Sequence, residues 1–542
     1  MKNIFAGAAL STGLLAALVG SVQVRAMEFE FDEFLLNVDT TLGAAAQWRT
    51  ESRDKRLGGS DTTSNFNDGN NNFDPGLISA RGNLILEVGG EYRDFSFFVR
   101  GDAVYDWVYA EEETDMSDLN YLTYNGGFPA GGSVAQGDFP RETVAEHGRR
   151  TRLLDAFVGY NFSVAEQSGA VRLGRQVISW GEATFFSGIN SLQNPIDAVA
   201  ALSPGAEVRE ILLPTSAVDL KWDFTNSFGM EAYYKLDWQA STLPGVGSYL
   251  SSSDTTGPGA EKILLGPLGA GDITRAQKPE DDDQWGLAAR YMTDDGANYE
   301  LYYIRAHANI PGQDVEVDLN TSSGTAWEVY TEDIDVWSAS FSTNLAEAQV
   351  YLDAAYSDNM PFIDLSSVLG DDGVLTRSEV VRGHYWQASA GFTDIYTALP
   401  WLSEQITVLG EVHYQGNNLG GSRLVRPPAA GFSPGPGDSM AVTDTAWGYQ
   451  LLVRLQYYAV LPGLDLTVPI NFKHDVDGYG NAIALNNGLK EDQKVASLGV
   501  DAFYLTNWQF SAKYSWYFGN NIPEDRVLSD RDNIAISMKY LF

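Results

Sequence analysis

The chain has no cysteine, which excludes disulfide bonds, iron–sulfur clusters and cysteine-ligated zinc. Basic residues are scarce: 35 Lys and Arg stand against 72 Asp and Glu, for a formal net charge of -37. Because nucleic-acid phosphates need basic side chains to neutralise them, this balance disfavours a nucleic-acid partner. The five histidines are scattered without metal-ligand spacing, and there is no Gly-x-Ser-x-Gly elbow. We therefore expect neither an enzyme nor a protein with a cofactor or metal site.

Long apolar runs are missing after the N-terminus. No later stretch approaches the roughly eighteen apolar residues of a membrane-spanning helix. Residues 1–26 are typical of a secretory signal peptide, with Lys2 before an apolar segment and Val24-Arg25-Ala26 before the expected cleavage. A retained anchor is the alternative, but the apolar run is short and acidic residues follow it. If the mature chain, 27–542, crosses a membrane, it must do so as a closed barrel.

What the sequence does have is alternation of apolar and polar residues. Between 532 and 542 every second position is large and apolar: Ile534, Ile536, Met538, Tyr540 and Phe542. A period of two indicates a β-strand with one apolar face. About eighteen such stretches occur, and long and short connections alternate between them. This pattern predicts an all-β, transmembrane, antiparallel up-and-down barrel of about eighteen strands, with sixteen as the alternative.

The barrel prediction also gives the side of the membrane on which each connection lies and the role of the last strand. A barrel has no edges because its last strand pairs with its first. The end of the chain, with Tyr540 and Phe542, resembles the closing strand and assembly signal of bacterial outer-membrane barrels, which implies recognition by the barrel assembly machinery. The expected location is the Gram-negative outer membrane, among its lipid and lipopolysaccharide. The long connections, expected on the external side, are 49–77, 110–148, 179–215, 240–283, 308–332, 359–381, 416–443, 474–494 and 519–531.

Inward-facing charges are the candidates for selectivity, because an eighteen-stranded barrel encloses an open lumen. The basic candidates are Arg100, Arg290, Arg454, Lys473, Lys513 and Lys539. The alternative is that these charges only hydrate the inner wall and support assembly.

The connection 179–215 is unusually apolar for a loop in water. Short helical turns are expected near 195–202 and 207–212. We expect the connection to fold into the lumen as a constriction; packing over the mouth as a lid is the alternative. The candidate constriction residues are Trp180, Glu182, Phe185, Phe186, Asn194, Asp197, Ile211 and Leu212.

The same region carries a family resemblance. Gly174-Arg175-Gln176 precedes Trp180-Gly181-Glu182, and Asn194-Pro195-Ile196-Asp197, Pro204-Gly205-Ala206-Glu207 and Leu212-Leu213-Pro214 follow. This text resembles the proteobacterial family of unknown function DUF1302, over nearly the whole mature chain. The resemblance implies an outer-membrane barrel that works with a periplasmic protein of the lipid-carrier type and an inner-membrane exporter of the resistance-nodulation-division type. It also implies hydrophobic cargo, such as lipids, fatty acids, sterols or aromatic compounds, and no catalytic residues.

The sequence thus favours an outer-membrane channel or transporter for hydrophobic or amphipathic small molecules. Two alternatives stay open. One is a general diffusion porin for small polar or anionic solutes. The other is a surface receptor or adhesin that binds its partner through its acidic loops.

Overall fold

The structure is a closed antiparallel β-barrel. This computed structural model describes residues 27–542 except 32, 55–56, 58–64, 112–136, 166, 187, 189, 266–268, 367, 371, 398–400, 420–440, 484–487 and 520–527. The expected signal peptide, 1–26, lies outside the described residues. The barrel strands are β2 (Phe34–Arg49), β3 (Gly76–Tyr92), β4 (Phe95–Asp106), β5 (Arg149–Val164), β6 (Gln167–Gln176), β7 (Thr215–Asp223), β8 (Phe228–Lys235), β11 (Trp285–Met292), β12 (Asn298–Ala306), β15 (Ile334–Leu345), β16 (Ala348–Asp364), β18 (Val374–Tyr396), β19 (Gln405–Asn417), β20 (Thr445–Leu461), β21 (Leu464–Asp477), β22 (Gln493–Tyr504), β23 (Trp508–Gly519) and β24 (Asn533–Leu541).

The last strand closes the barrel on the first barrel strand. β24 pairs with β2, Leu541 lying opposite Thr41 and Asn533 opposite Arg49. The Phe542 carbonyl accepts the Thr40 N–H at 2.7 Å, and the Thr40 carbonyl accepts the Phe542 N–H at 3.0 Å. Every other barrel strand pairs antiparallel with its neighbours along the chain, which confirms the predicted eighteen-stranded up-and-down topology. Beyond the end of β24, the short strand β1 (Met27–Phe31) continues the pairing along β2.

The two faces of the wall differ as the alternation predicts. On β23, Phe510, Trp516 and Phe518 point outward and are exposed, whereas Ser515 points inward and is buried. Exposed large apolar side chains recur on the outer face of strands around the barrel. Such a belt is stable in hydrocarbon and costly in water, so the outer face fits a lipid bilayer.

Among the described residues, no helix is both long enough and apolar enough to span a membrane.

Strands also form in segments expected to be loops. These strands are β9 (Lys262–Leu264), β10 (Ala270–Ile273), β13 (Gly312–Asp318), β14 (Ser323–Val329) and β17 (Val368–Leu369). They make a small sheet with the start of β18, and β16 and β18 extend into the expected loop 359–381 to support it. A separate apolar cluster that includes Ile263, Val317 and Leu375 holds this sheet together. Because these apolar side chains are buried in a cluster of their own, they stabilise strands in segments that the sequence predicted to be loops.

The helices within the described residues are all short. They are α1 (Asp68–Asn71), α2 (Trp107–Glu111), α3 (Arg141–Thr143) with a π-turn at Val144–Gly148, α4 (Asn190–Gln193), α5 (Ala198–Leu202) and α6 (Val208–Ile211). α5 and α6 fall where the sequence predicts helical turns.

Candidate functional site

The connection between β6 and β7, here called the inserted segment (177–214), lies inside the barrel. The Glu182 N–H bonds to Asp353 on β16, whereas the Glu207 carboxylate pairs with Lys539 on β24 at 2.6 Å. A Cβ on Gly205 would lie 2.9 Å from Ser537 on β24. Because β16 and β24 are far apart around the barrel, the inserted segment crosses the lumen.

Two amides fix the segment where it leaves the wall. The Asn194 side chain accepts the Ile178 N–H at 3.1 Å and donates to the Ile178 carbonyl, and the Gln193 side chain accepts the Trp180 N–H at 3.1 Å. The segment then folds back on itself. The Asp197 N–H donates to the Ile211 carbonyl at 2.7 Å, and Leu212 forms a β-bridge with Ile196.

Trp180 anchors the segment to the apolar part of the inner wall. Its indole lies 5.5 Å from the Tyr302 ring at 17° and 5.0 Å from the Tyr233 ring. Ile178 and Leu192 join the same buried cluster, with inward side chains of β7 to β18 such as Ile304. An aromatic side chain buried in this way accounts for several kcal/mol, so it holds the segment against this wall.

Two wall carboxylates hold the middle of the segment through its backbone. Asp353 accepts the N–H groups of Glu182 and Ala183, both at 2.8 Å. Glu411 on β19 accepts the N–H groups of Thr184, Phe185 and Phe186 at 2.8, 2.7 and 3.3 Å. Bonds from backbone N–H groups to a carboxylate are about twice as strong as neutral ones. We call Asp353 and Glu411 the carboxylate latch.

Side chains next to the latch complete the contact. Phe186 stacks on His413 with 5.0 Å between ring centroids and 12° between planes. Lys473 lies over the same ring, with its Nζ 5.5 Å from the centroid, and pairs with Asp475 at 3.1 Å. The tip of the segment is therefore bound to β19 and β21, across the lumen from β6.

Among the described residues, the Glu182 side chain is the one acid of the segment that has no ion pair with a base of the wall. It accepts a bond from the Ser342 hydroxyl at 2.9 Å. The pKa of the Glu182 carboxyl is raised from 4.5 to about 7, chiefly by burial; the Ser342 hydrogen bond opposes the shift, and the nearby Asp353 carboxylate adds to it. The charge of this group therefore changes close to neutral pH.

Ion pairs bind the rest of the inserted segment to β3, β5 and β24, on the side of the barrel away from the carboxylate latch. Asp197 is fully buried and accepts Arg150 at 2.8 Å and Arg152 at 2.6 Å, both from β5, while it also caps α5 through the Ala200 N–H. Arg152 in turn pairs with Asp102 of β4 at 2.5 Å. Arg209 pairs with Glu87 of β3, and its other Nη donates to Thr41 at 3.1 Å.

A second connection also packs inward, which the sequence did not predict. Part of the expected external loop 240–283 lies against the inserted segment: the Ser241 hydroxyl accepts the Ile196 N–H at 3.0 Å. Further on, Tyr249 is buried beneath the guanidinium groups of Arg49 and Arg531. The Gly, Ser and Pro content of this stretch resembles that of a solvated loop, so the composition gave no signal of its burial.

The inner wall is covered unevenly. Inward side chains of β12 to β19 are buried under the segment: Tyr302, Ile304, Ser338, Ser340, Asp353, Ser389, Glu411 and His413. Many inward side chains of β20 to β23, by contrast, stay partly accessible or exposed: Gln450, Arg454, Thr467, Asn471, Ser497, Asp501, Ser511 and Lys513. As far as the described residues show, the free part of the lumen follows this polar wall.

The basic candidates differ in their surroundings. Arg100 is buried against Asp155 at 2.5 Å and Glu87 at 3.6 Å, and Arg290 pairs with Asp223 at 3.0 Å near a barrel end. Lys473 and Lys539 bind the segment, as described above. Arg454 is partly accessible on β20, and Lys513 on β23 is exposed and has no ion pair with any described residue.

The predicted assembly residues lie at the barrel end. Tyr540 packs on Trp508 with 4.7 Å between ring centroids, and Phe542 packs on Tyr540 at 5.6 Å. Within the described ranges, no group of three or more His, Asp or Glu side chains is placed to hold a metal ion.

An apolar outer belt, a closed wall and a crossed lumen define a β-barrel of the membrane type with an internal constriction. The chain belongs to the family described as "Protein of unknown function (DUF1302)", whose model matches residues 6–542. This agrees with the resemblance seen in the sequence. No curated protein sequence matches the chain.

Solved outer-membrane barrels are similar in fold at low identity. OccAB4 of Acinetobacter baumannii is 10% identical with a TM-score of 0.43, covering 95% of this chain and 99% of its own. OpdK of Pseudomonas aeruginosa, solved with vanillate, is 10% identical with a TM-score of 0.40 and coverages of 93% and 98%. A BenF-like porin from Pseudomonas fluorescens Pf-5 is 10% identical with a TM-score of 0.42 and coverages of 94% and 98%. Similarity at this level does not extend to function.

Proposed function

We propose that the protein is an outer-membrane channel that passes small solutes, preferentially anionic and amphipathic ones, along the polar wall formed by β20 to β23. The observation that supports this most is the uneven cover of the inner wall. The inserted segment fills the side of β12 to β19, so a solute is confined to the remaining side. Such a channel is narrower than an open eighteen-stranded lumen.

The charge along the free wall favours anions. Arg454 and Lys513 face the path, and Asp501 is the acid placed among them. Lys473 is offset by Asp475 and by its contact with Phe186. Charges that line a narrow, low-dielectric path act more strongly on a passing ion than the same charges on an open surface.

Current measurements in planar bilayers test the proposal. The purified barrel is expected to give small, steady unitary currents that carry chloride in preference to potassium. Lys513→Glu is expected to shift the reversal potential toward cation selectivity, while Arg290→Gln, at a barrel end, leaves it unchanged. A large current with no ion preference, or no effect of Lys513→Glu, would contradict the proposal.

Outer-membrane placement, with surrounding lipid and lipopolysaccharide, is part of the same proposal. It is supported by the apolar belt and by the aromatic end of β24, which the barrel assembly machinery is expected to recognise. Fractionation of cells that express the full chain tests it: the protein is expected with the outer membrane, and Phe542 deletion is expected to lower its amount there.

A second candidate is the transport of hydrophobic cargo, such as a lipid, fatty acid, sterol or aromatic compound, with a periplasmic carrier and a resistance-nodulation-division exporter. The apolar inner cluster around Trp180 favours it, because the lumen then offers an apolar surface if the segment moves. Cells that lack the protein should retain a hydrophobic dye longer than cells that have it. Equal dye retention, together with measurable chloride current, would favour the anion channel alone.

A further inference from the structure

Between β21 and β22 the pairing of the wall is interrupted without a change of register. The strands pair at Thr467 with Asp501 and again at Ile470 with Leu498, but not at the two positions between. The register is the same on both sides, so this is not a bulge. The unpaired positions are Val468 opposite Val500 and Pro469 opposite Gly499. The interruption leaves about 10 Å of seam without the normal ladder.

Pro469 is the cause of the break. Proline has no N–H to donate, and inside a sheet it removes a ladder hydrogen bond, so it is ordinarily confined to edges and bulges. Here it lies well inside β21 and still pairs with Arg454 of β20 on its other side. Gly499 fits the proline ring: a Cβ there would lie 3.2 Å from the Pro469 Cγ and 3.2 Å from the Ala512 carbonyl oxygen.

A break of this kind is costly in a membrane. Backbone groups that lose their partners in hydrocarbon cannot turn to water, and each costs several kcal/mol. A valine at position 469 would restore the donor without changing the inward face. The two strands are in contact at Pro469 and Gly499, but the lost hydrogen bonding makes this seam weaker than its neighbours and the place where the wall can open.

Two cations flank the break on the lumen side. Arg454 lies opposite Pro469, and Lys513 lies opposite Gly499, so the four residues form one row across β20, β21, β22 and β23. The row spans about 14 Å, which two long basic side chains can close over. Asp501 lies next to the row and is the acid that faces both cations. Outside the break the wall presents apolar residues, including exposed Val500 and Leu498.

We propose that the seam at Pro469 and Gly499 is a lateral portal for molecules with an anionic head and a hydrocarbon chain. The head binds Arg454 and Lys513 in the lumen, and the chain passes between β21 and β22 into the bilayer. This inference rests on the proposed anion channel and adds a second route to it, sideways through the wall. It also names the substrate class, an amphipathic anion.

Closing the seam with a disulfide tests the portal. Val468 and Val500 face each other at a position without ladder hydrogen bonds, where Cα atoms lie about 4.5–5.5 Å apart, within disulfide range. The natural chain has no cysteine, so Val468→Cys with Val500→Cys gives one defined bond. The control is Leu42→Cys with Leu84→Cys, an outward pair on the continuous ladder of β2 and β3.

The readout is block of the chloride current by dodecyl sulfonate compared with methyl sulfonate. In the natural chain, dodecyl sulfonate is expected to block at least about tenfold longer than methyl sulfonate, the effect of about 1.4 kcal/mol of extra binding. The Val468–Val500 disulfide should abolish this difference, and reduction should restore it. The Leu42–Leu84 disulfide should leave it intact. Equal block times for the two sulfonates, or a difference that survives the locked seam, would overturn the portal while leaving the channel proposal in place.

A photolabel keeps the portal testable if the barrel carries no current. Dodecanoate with a diazirine at its chain end is expected to label β21 and β22 several times more than β2 and β3 in lipid nanodiscs. Arg454→Gln with Lys513→Gln should remove the excess, as should Pro469→Val. Uniform labelling of the outer belt would refute the portal, whereas absent current with retained labelling would refute only the channel.

Discussion

The indole of Trp180 stacks on the ring of Tyr302, with 17° between the planes. This contact joins the inserted segment to β12, in the apolar part of the inner wall. It places the segment against one side of the lumen, and the latch formed by Asp353 and Glu411 then fixes its tip. The predictions below separate the contributions of these contacts.

Removing the Trp180 side chain should loosen the segment. Trp180→Ala leaves a cavity beside Tyr233 and Tyr302, at a cost of about 3–5 kcal/mol typical of buried aromatic truncation. We expect larger and noisier unitary currents in planar bilayers. The control is Trp238→Ala, which removes an indole that packs on Tyr330 outside the segment. A rise in current with Trp238→Ala and none with Trp180→Ala would show that the stacking does not restrain the segment.

The carboxylate latch should control the same current through the backbone. Glu411→Ala leaves three N–H groups and the Tyr351 hydroxyl without their acceptor, and each unsatisfied group costs about 1–3 kcal/mol. We expect frequent openings to a larger conductance. Glu411→Gln retains an acceptor oxygen and should have a smaller effect. If alanine and glutamine give identical traces to the natural chain, the latch has no role in restricting the path.

Glu182 should make the segment sensitive to pH. Because burial raises its pKa from 4.5 to about 7, the folded state keeps a proton that the unfolded chain has already lost between these values. The stability contributed by the protonated carboxyl is complete below about pH 4.5, falls as pH rises through about 7, and stays low above that. Current fluctuation is therefore expected to grow from pH 5 to pH 8.

The control for this titration is Glu182→Gln, which keeps a neutral acceptor for Ser342 at every pH. Its current fluctuation should be independent of pH between 5 and 8 and should match that of the natural chain at low pH. The same pH dependence in Glu182→Gln would assign the titration to another group.

Asp197 should be needed for order in the second half of the segment. Asp197→Ala removes the acceptor shared by Arg150 and Arg152, and breaking a buried pair costs about 3–5 kcal/mol. Hydrogen exchange is expected to accelerate in 196–213 while the barrel strands stay protected. Asp197→Asn keeps the cap of α5 but not the charge, so an intermediate rate would show that cap and ion pairs both contribute. Unchanged exchange in both variants would refute a structural role for Asp197.

Local patterns in the sequence were sufficient for the wall but not for its contents. The two-residue alternation from Ile534 to Phe542 predicts a strand with one apolar face, because strand geometry is a local property. The repetition of this pattern about eighteen times predicts the membrane barrel. The apolar sequence of residues 177–214 distinguished the inserted segment from an ordinary loop. Helices α5 and α6 lie where helical turns were predicted. That Trp180 would meet Tyr302, or that Glu411 would accept three N–H groups of the segment, depends on strands far apart in the chain, and no local pattern encodes it.

Pro469 shows the same division most directly. Its lack of an N–H is a property of the residue and can be read from the sequence. That this lack falls opposite Gly499, between Arg454 and Lys513, follows only from the register of four strands in the closed barrel. The alternation of residues along the chain was enough to predict about eighteen wall strands and the face of each that meets lipid. The tertiary structure decided which residues meet inside, because pairing across the lumen and along the seams is set by closure of the whole sheet.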